Sequence, residues 1–232
     1  LGRASSGSAD YTGFFVRNAL EPESLTGAAF SRAKYEDWRD FKRSDLDDTD
    51  VVILADVANP PRGMLDSLGE FVSAGNGLVI FTGDAANAKD YGQFLEEYFG
   101  AALGQVAAAG NENAARLSAI AFDHPMLAAF REGRNGNLTE ARFTTWRKLE
   151  VAGREAKAVV LARLDTGDPA VLAAPAGSGR ALLVAFSPVR EATDLVLRAS
   201  FVPLANEMAG YADSGKSPAA SGERNFTVGD TV

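Results

Sequence analysis

DVVILAD (residues 50–56), NPPRGMLDSLGEFVSAGNG (59–77) and LVIFTGD (78–84) follow one another almost without a gap. Val51 to Ala55 is a continuous apolar run, as expected of a strand covered on both faces. Pro60 and Pro61 then open a helix, where a missing N–H costs nothing. Met64, Leu65, Leu68, Phe71 and Val72 recur at helical spacing and form one apolar stripe. Gly75 stops that helix, and Leu78 to Phe81 is a second buried strand. Strand, helix and strand in this order form a parallel crossover unit, and both strands leave the sheet at an aspartate, Asp56 and Asp84. The carboxyl edge of such a sheet is where ligands bind in open α/β folds.

Outward from this unit the pattern is α/β first and antiparallel β later. Tyr11 to Leu20 reads as a short helix, Phe30 to Trp38 as an edge strand, and Asn87 to Phe99 as an amphipathic helix with Tyr91, Phe94, Leu95 and Tyr98 inward. Gly100 to Asn113 is Ala/Gly-rich and gives no periodicity. Strands are expected at Arg116–Phe122, Ala141–Val151, Ala158–Leu164, Ala170–Ala174 and Arg180–Phe186, with Gly177-Ser178-Gly179 as a hairpin turn between the last two. Asp194 to Tyr211 reads as one long helix, with Pro203 marking a kink or its true start. The expected fold class is α/β: a mostly parallel sheet flanked by helices, with an antiparallel extension. Residues 1–213 form the domain. Residues 214–232 read as a Ser/Gly/Ala/Pro linker leading into Asn225-Phe226-Thr227-Val228, the opening of a further strand.

Composition narrows the function classes. The 232 residues carry a formal net charge of −8, which disfavours nucleic acid and anionic membrane surfaces as partners. No apolar run approaches the roughly 20 residues of a membrane helix. The absence of cysteine excludes disulfides, thiolate metal sites and thiol catalysis. Asp47, Asp48 and Asp50 lack the glycine and final glutamate of a calcium loop. Gly177-Ser178-Gly179 leads into a strand, where a phosphate loop would lead into a helix. No metal and no cofactor is expected. The only histidine, His124, sits in the turn-forming DHP, and no serine has a G-x-S-x-G setting.

Two strand-to-helix turns carry the site reading. One is Thr82-Gly83-Asp84-Ala85-Ala86-Asn87, where Asp84 either lines a pocket or caps the next helix. The other is Phe186-Ser187-Pro188-Val189-Arg190-Glu191, with an N-cap at Thr193 or Asp194. Asp56, Asn59, Thr82, Gly83, Asp84, Asn87, Ser187, Arg190 and Glu191 are the candidates to line a pocket at the strand edge. An acidic lining favours cationic or hydroxyl-rich ligands.

At these turns the chain resembles the class I glutamine amidotransferase-like fold, a flavodoxin-like sheet. Thr82-Gly83-Asp84 stands at that family's cysteine elbow, and Ser187 stands where its late F-H-P-E turn has the catalytic histidine. Both substitutions remove the chemistry, since no thiolate and no base remain. FFVRNAL, VVILADVANPP, FVSAGNGLVIFTGD, DHPML, ARFTTW and RALLVAFSPVRE are similar to the amidotransferase-like region of bacterial membrane proteins that begin with an aerotolerance-regulator (BatA-type) domain. That resemblance implies an extracytoplasmic, periplasmic domain of a membrane-anchored protein. It implies a non-catalytic binding or assembly module whose partners are other domains or subunits, with a small polar ligand at the strand edge. The alternatives are a hydrolase with a non-standard site around Asp84 and His124, which requires His124, Asp84 and Ser187 to converge, and a structural spacer with a filled edge.

Overall fold

A computed structural model of the chain describes residues 12–20, 36–153 and 157–213. Its centre is the unit that opens the sequence reading. Strand β1 (Val51–Ala55) pairs in parallel with β2 (Gly77–Phe81), and helix α2 (Arg62–Ser73) crosses between them. Pro61 is the residue before the first helical one, and Gly75, at φ 110°, turns the chain out of the helix. Strand β2 pairs in parallel with β8 (Gly179–Val184), the last strand among the described residues.

From β8 onward every ladder is antiparallel. It pairs with β7 (Pro169–Ala176), β7 with β6 (Val159–Leu164), and β6 with β4 (Leu117–Ile120), giving the order β1-β2-β8-β7-β6-β4. The sheet is therefore mixed, parallel at one edge and antiparallel across the rest, where a mostly parallel sheet was expected. Ala176 pairs with Gly179 around the Gly177-Ser178 turn, so the hairpin forms as read. Gly179 has no room for a side chain, because a Cβ would overlap the carbonyl oxygens of Val72 and Asn76.

Successive strand residues face opposite sides, and each side has its own core. Leu78, Ile80, Ala181 and Leu183 pack with α2 and with α3 (Ala88–Phe99). Val79, Phe81, Leu182 and Val184 face α1 (Phe14–Leu20) and α4 (Phe201–Asp213). Helix α3 begins at Asn87, whose side chain accepts from the Lys89 N–H, and ends at Gly100 in the left-handed conformation.

Three further expectations need correction. The patternless Gly100–Asn113 segment holds β3 (Ala101–Ala108), which pairs antiparallel with β5 (Thr145–Val151) in a separate two-stranded sheet. Its alanines and Gly104 carry too little hydrophobic contrast to show alternation. The single long helix from Asp194 is two pieces: a 3-10 turn over Asp194–Leu197, capped by Thr193, then α4. Pro203 lies in the first turn of α4, where it needs no N–H partner. Trp38 begins a 3-10 turn over Trp38–Asp40; the rest of the strand expected over Phe30–Trp38 lies mostly outside the described residues, as does Asn225–Val228.

The approach to α4 is clasped by charge. Asp194 accepts from Arg142 N (2.7 Å) and Arg142 Nε (3.1 Å), and from Arg198 Nε (2.9 Å) and Nη2 (2.8 Å). The Arg198 hydrogen bonds lead in holding the Asp194 carboxyl well below the usual carboxylate range, against the opposing effect of burial. A carboxylate with a lowered folded-state pKa adds stability above its unfolded value of about 3.9, and that stability is lost as pH falls through the folded value. With the side chain a quarter exposed, Asp194→Asn is expected to cost about 1 kcal/mol at pH 7. Urea unfolding of both proteins at pH 7 and in stronger acid checks this: the gap is expected to close in acid, and a pH-independent gap contradicts the account.

Candidate functional site

The ends of β1, β2 and β8 are neighbours in the sheet, so the residues that follow them meet. Asp56 follows β1 and is the one non-glycine with positive φ among the described residues, at 51°. Aspartate tolerates this conformation better than most side chains. The turn buries Asp56 to 2% exposure and points its Oδ1 at two backbone donors across the sheet end. These are Gly83 N at 2.7 Å and Ala86 N at 3.1 Å. Asp56 thus ties down the strand-to-helix turn after β2.

Gly83 is glycine because nothing larger fits. A Cβ there would lie 2.5 Å from Asp56 Oδ2 and 2.6 Å from Ser187 Cβ. Ser187, beyond β8, is buried to 3%. Its hydroxyl favours the ionised form of the Asp56 carboxyl beside it. It nevertheless stops short of a hydrogen bond, and its Oγ has no partner. Thr82 is fully buried and spends its hydroxyl on Val184 O at 2.9 Å, stitching β2 to β8.

The residue that completes this edge is Arg147, from β5. The β3–β5 ladder shifts register between Leu103 and Val106, opposite Lys148. That irregularity sits beside the arginine; such bulges re-aim side chains. Arg147 is 8% exposed. Its Nε and Nη2 both donate to Gly83 O, at 3.0 and 2.8 Å. Nη2 also reaches Ala86 O at 2.7 Å and Asp84 O at 3.3 Å, and Nη1 reaches Gly104 O at 3.2 Å. Burial works against the guanidinium charge, while the Asp56 and Asp84 carboxylates favour it. The turn after β2 is therefore held from both sides: Asp56 takes its N–H groups and Arg147 takes its carbonyls.

The nine candidate residues divide into two groups. Asp56, Thr82, Gly83 and Ser187 form the buried edge. Asp84, Asn59, Asn87, Arg190 and Glu191 are exposed. Asn87 donates to Asn59 Oδ1 at 3.3 Å and caps α3, so the cap is Asn87 and not Asp84. Arg190 Nε pairs with Glu191 Oε1 at 2.8 Å on the surface. Two grooves lie elsewhere. One of about 560 Å³ runs between α2 and α3, past Arg62, Asp66, Lys89 and Tyr98. Another of about 430 Å³ lies between α2 and the Trp38–Arg43 segment.

His124 does not join the edge. Its ring lies 4.9 Å from that of Tyr211, at the end of α4, and Arg180, which stands over Tyr211, is paired with Gly77 at the start of β2 and β8. That is the amino end of the parallel strands, opposite to Gly83 and Ser187. Burial and Arg180 lower the His124 pKa. Among the described residues no group of three His, Asp or Glu side chains is placed to hold a metal ion.

Arg147 escaped the sequence reading although its position carried a signal. In TWRKLEV the period-two pattern sets Arg147 on the face of Leu149 and Val151, and Leu149 belongs to the core. An arginine at an inward register position of a strand implies a buried partner. The sequence does not show that the partner is a ring of backbone carbonyls.

No family model and no curated protein matches the chain. Two solved structures from Salmonella typhimurium share the fold. Cytoplasmic Protein STM3548 superimposes with a TM-score of 0.66 at 13% identity, over 91% of this chain and 94% of that one. Cytoplasmic Protein STM1381 of strain LT2 does so with a TM-score of 0.65 at 12% identity, over 91% of this chain and 95% of that one. These findings correct two expectations. The likeness to amidotransferases and to BatA-type membrane proteins is not upheld, because neither of these two structures, each matching 91% of this chain, is described as one. Its site motifs were strand-to-helix turns, which α/β sheets with a parallel edge share widely. The extracytoplasmic address rested on that likeness and does not stand. Both neighbours are described as cytoplasmic proteins, and no helix among the described residues is long and apolar enough to cross a membrane.

The edge makes two sharp predictions. Gly83→Ala drives a methyl group into Asp56 and Ser187 and is expected to cost about 1–3 kcal/mol in denaturant unfolding; an unchanged midpoint contradicts the packing. Burial leads in raising the Asp56 pKa, outweighing the Gly83 and Ala86 N–H groups. Asp56 then contributes stability fully below its unfolded value of about 3.9 and loses it as pH rises through the folded value. Asp56→Asn keeps the Oδ1 acceptor without the titration. The stability difference between the two proteins is expected to move in wild type's favour as pH falls from 7 to below about 4. Movement in the other sense contradicts a raised pKa.

Proposed function

We propose that this chain is a non-catalytic module that works by assembly with other domains or subunits through its outer surface. The carrying observation is the closed strand edge. Its aspartate and arginine spend their hydrogen bonds on the turn after β2, and Asp56, Thr82, Gly83 and Ser187 are all buried. A nucleophile needs a base within hydrogen-bond reach and a substrate beside it. Ser187 is poorly placed for both: its Oγ is buried away from any substrate, the Asp56 carboxyl beside it accepts from the Gly83 and Ala86 N–H groups, and His124 lies at the opposite end of the parallel strands.

The grooves along α2 support assembly: the one against α3 is lined by both signs of charge, the other by Arg39 and Arg43. A filled edge equally favours the spacer reading, in which the domain only sets a distance between its neighbours.

Purified protein offered a panel of ester, amide and glycoside substrates is expected to give no turnover above buffer. Amines, short peptides and sugars are expected to leave its melting temperature unchanged. Turnover, or a ligand-induced shift, that Ser187→Ala or Asp56→Asn removes would overturn the proposal and place function at the strand edge.

A further inference from the structure

The contacts of Arg147 have a particular chemistry. Each one ends on a backbone carbonyl: Gly83 O twice, then Asp84 O, Ala86 O and Gly104 O. All but Gly104 O, which lies in β3, belong to the turn after β2, which other interactions also hold. Asp56 fixes the Gly83 and Ala86 N–H groups, and Asn87 N donates to Ala58 O at 3.0 Å. Tyr91 Oη donates to Val57 O at 3.0 Å. The turn after β2 thus has holds besides Arg147. Around them are the buried carboxyl of Asp56 and the buried Ser187 Oγ, which has no partner. A cage of fixed carbonyls beside a carboxyl suits a planar cation with several donors; an ammonium, with three donors in a tetrahedral array, matches the doubly engaged Gly83 oxygen less well.

We propose that the turn after β2 is a guanidinium-binding site in its own right, with Arg147 as its built-in ligand. Its ligand class is the arginine-like cation, and an outside guanidinium enters only where Arg147 is absent or displaced. This goes beyond the assembly reading and does not depend on it, since it concerns what the closed edge recognises.

The test compares wild type with Arg147→Gly in the full chain, by thermal unfolding. Ethylguanidinium, ethylammonium and sodium chloride are added at equal, sub-denaturing concentrations. Ethylguanidinium is expected to raise the variant's melting temperature saturably and to recover about half or more of the loss from wild type, as a ligand of the native state does. Ethylammonium is expected to recover less, salt nothing, and wild type is expected not to respond. An equal response to all three additives, no response to any, or a wild-type response matching the variant's overturns the proposal. If the variant folds only with ethylguanidinium present, that too supports it. Where the variant stays unfolded throughout, solvent exchange of the Arg147 Nε proton in wild type decides. Exchange roughly tenfold or more slower than that of the exposed Arg62 supports a closed cage. Comparable exchange overturns it.

Discussion

The turn between β2 and α3 is held by an acid on one side and a base on the other, and the rest of the edge depends on that grip. A strand that ends under a sheet leaves backbone N–H and C=O groups where neither water nor a ladder serves them. Asp56 takes the N–H groups of Gly83 and Ala86; Arg147 takes the carbonyls of Gly83, Asp84 and Ala86. Two buried side chains, a carboxyl and a guanidinium, thus satisfy a turn that has no secondary structure of its own. Breaking either leaves polar backbone buried without partners, which is more costly than the bonds themselves are favourable.

This arrangement links distant parts of the chain. Asp56 comes from the first strand of the sheet, Ser187 from the end of the last, and Arg147 from a ribbon outside it. The side sheet β3–β5 is bound to the main one by this arginine, and Arg147 N also donates to Ala185 O at 2.6 Å. The edge that hosts chemistry in many α/β proteins serves here to hold two sheets together. The same geometry explains why Gly83 admits no side chain and why Asp56 accepts a left-handed backbone.

Much of the scaffold was legible in the residues. VVILA and LVIF are short uninterrupted apolar runs, and the Met64–Val72 stripe between them leaves one reading, so β1, α2 and β2 fall where expected. The meeting of Asp56, Gly83 and Ser187 follows from parallel pairing of the strands before them. Other parts were not legible. Ala101–Ala108 pairs through its backbone, and its small side chains print no alternation. The Asp194–Asp213 stretch carries apolar residues on both sides of its break, and only backbone geometry shows the break before Phe201. The function of Arg147 depends on a bulge opposite Lys148, which no local pattern announces. The family likeness failed for a related reason: turns such as Thr82-Gly83-Asp84 record a fold's geometry more than its ancestry.

Amide hydrogen exchange at Gly83 and Ala86 tests the central claim most directly, since both N–H groups face the Asp56 carboxyl beneath the Arg147 side chain. A closed edge requires these two amides to exchange about as slowly as Val79 and Ile80 within β2. Exchange at the rate of an exposed turn, with β2 still protected, would mean the edge stands open and the account is wrong.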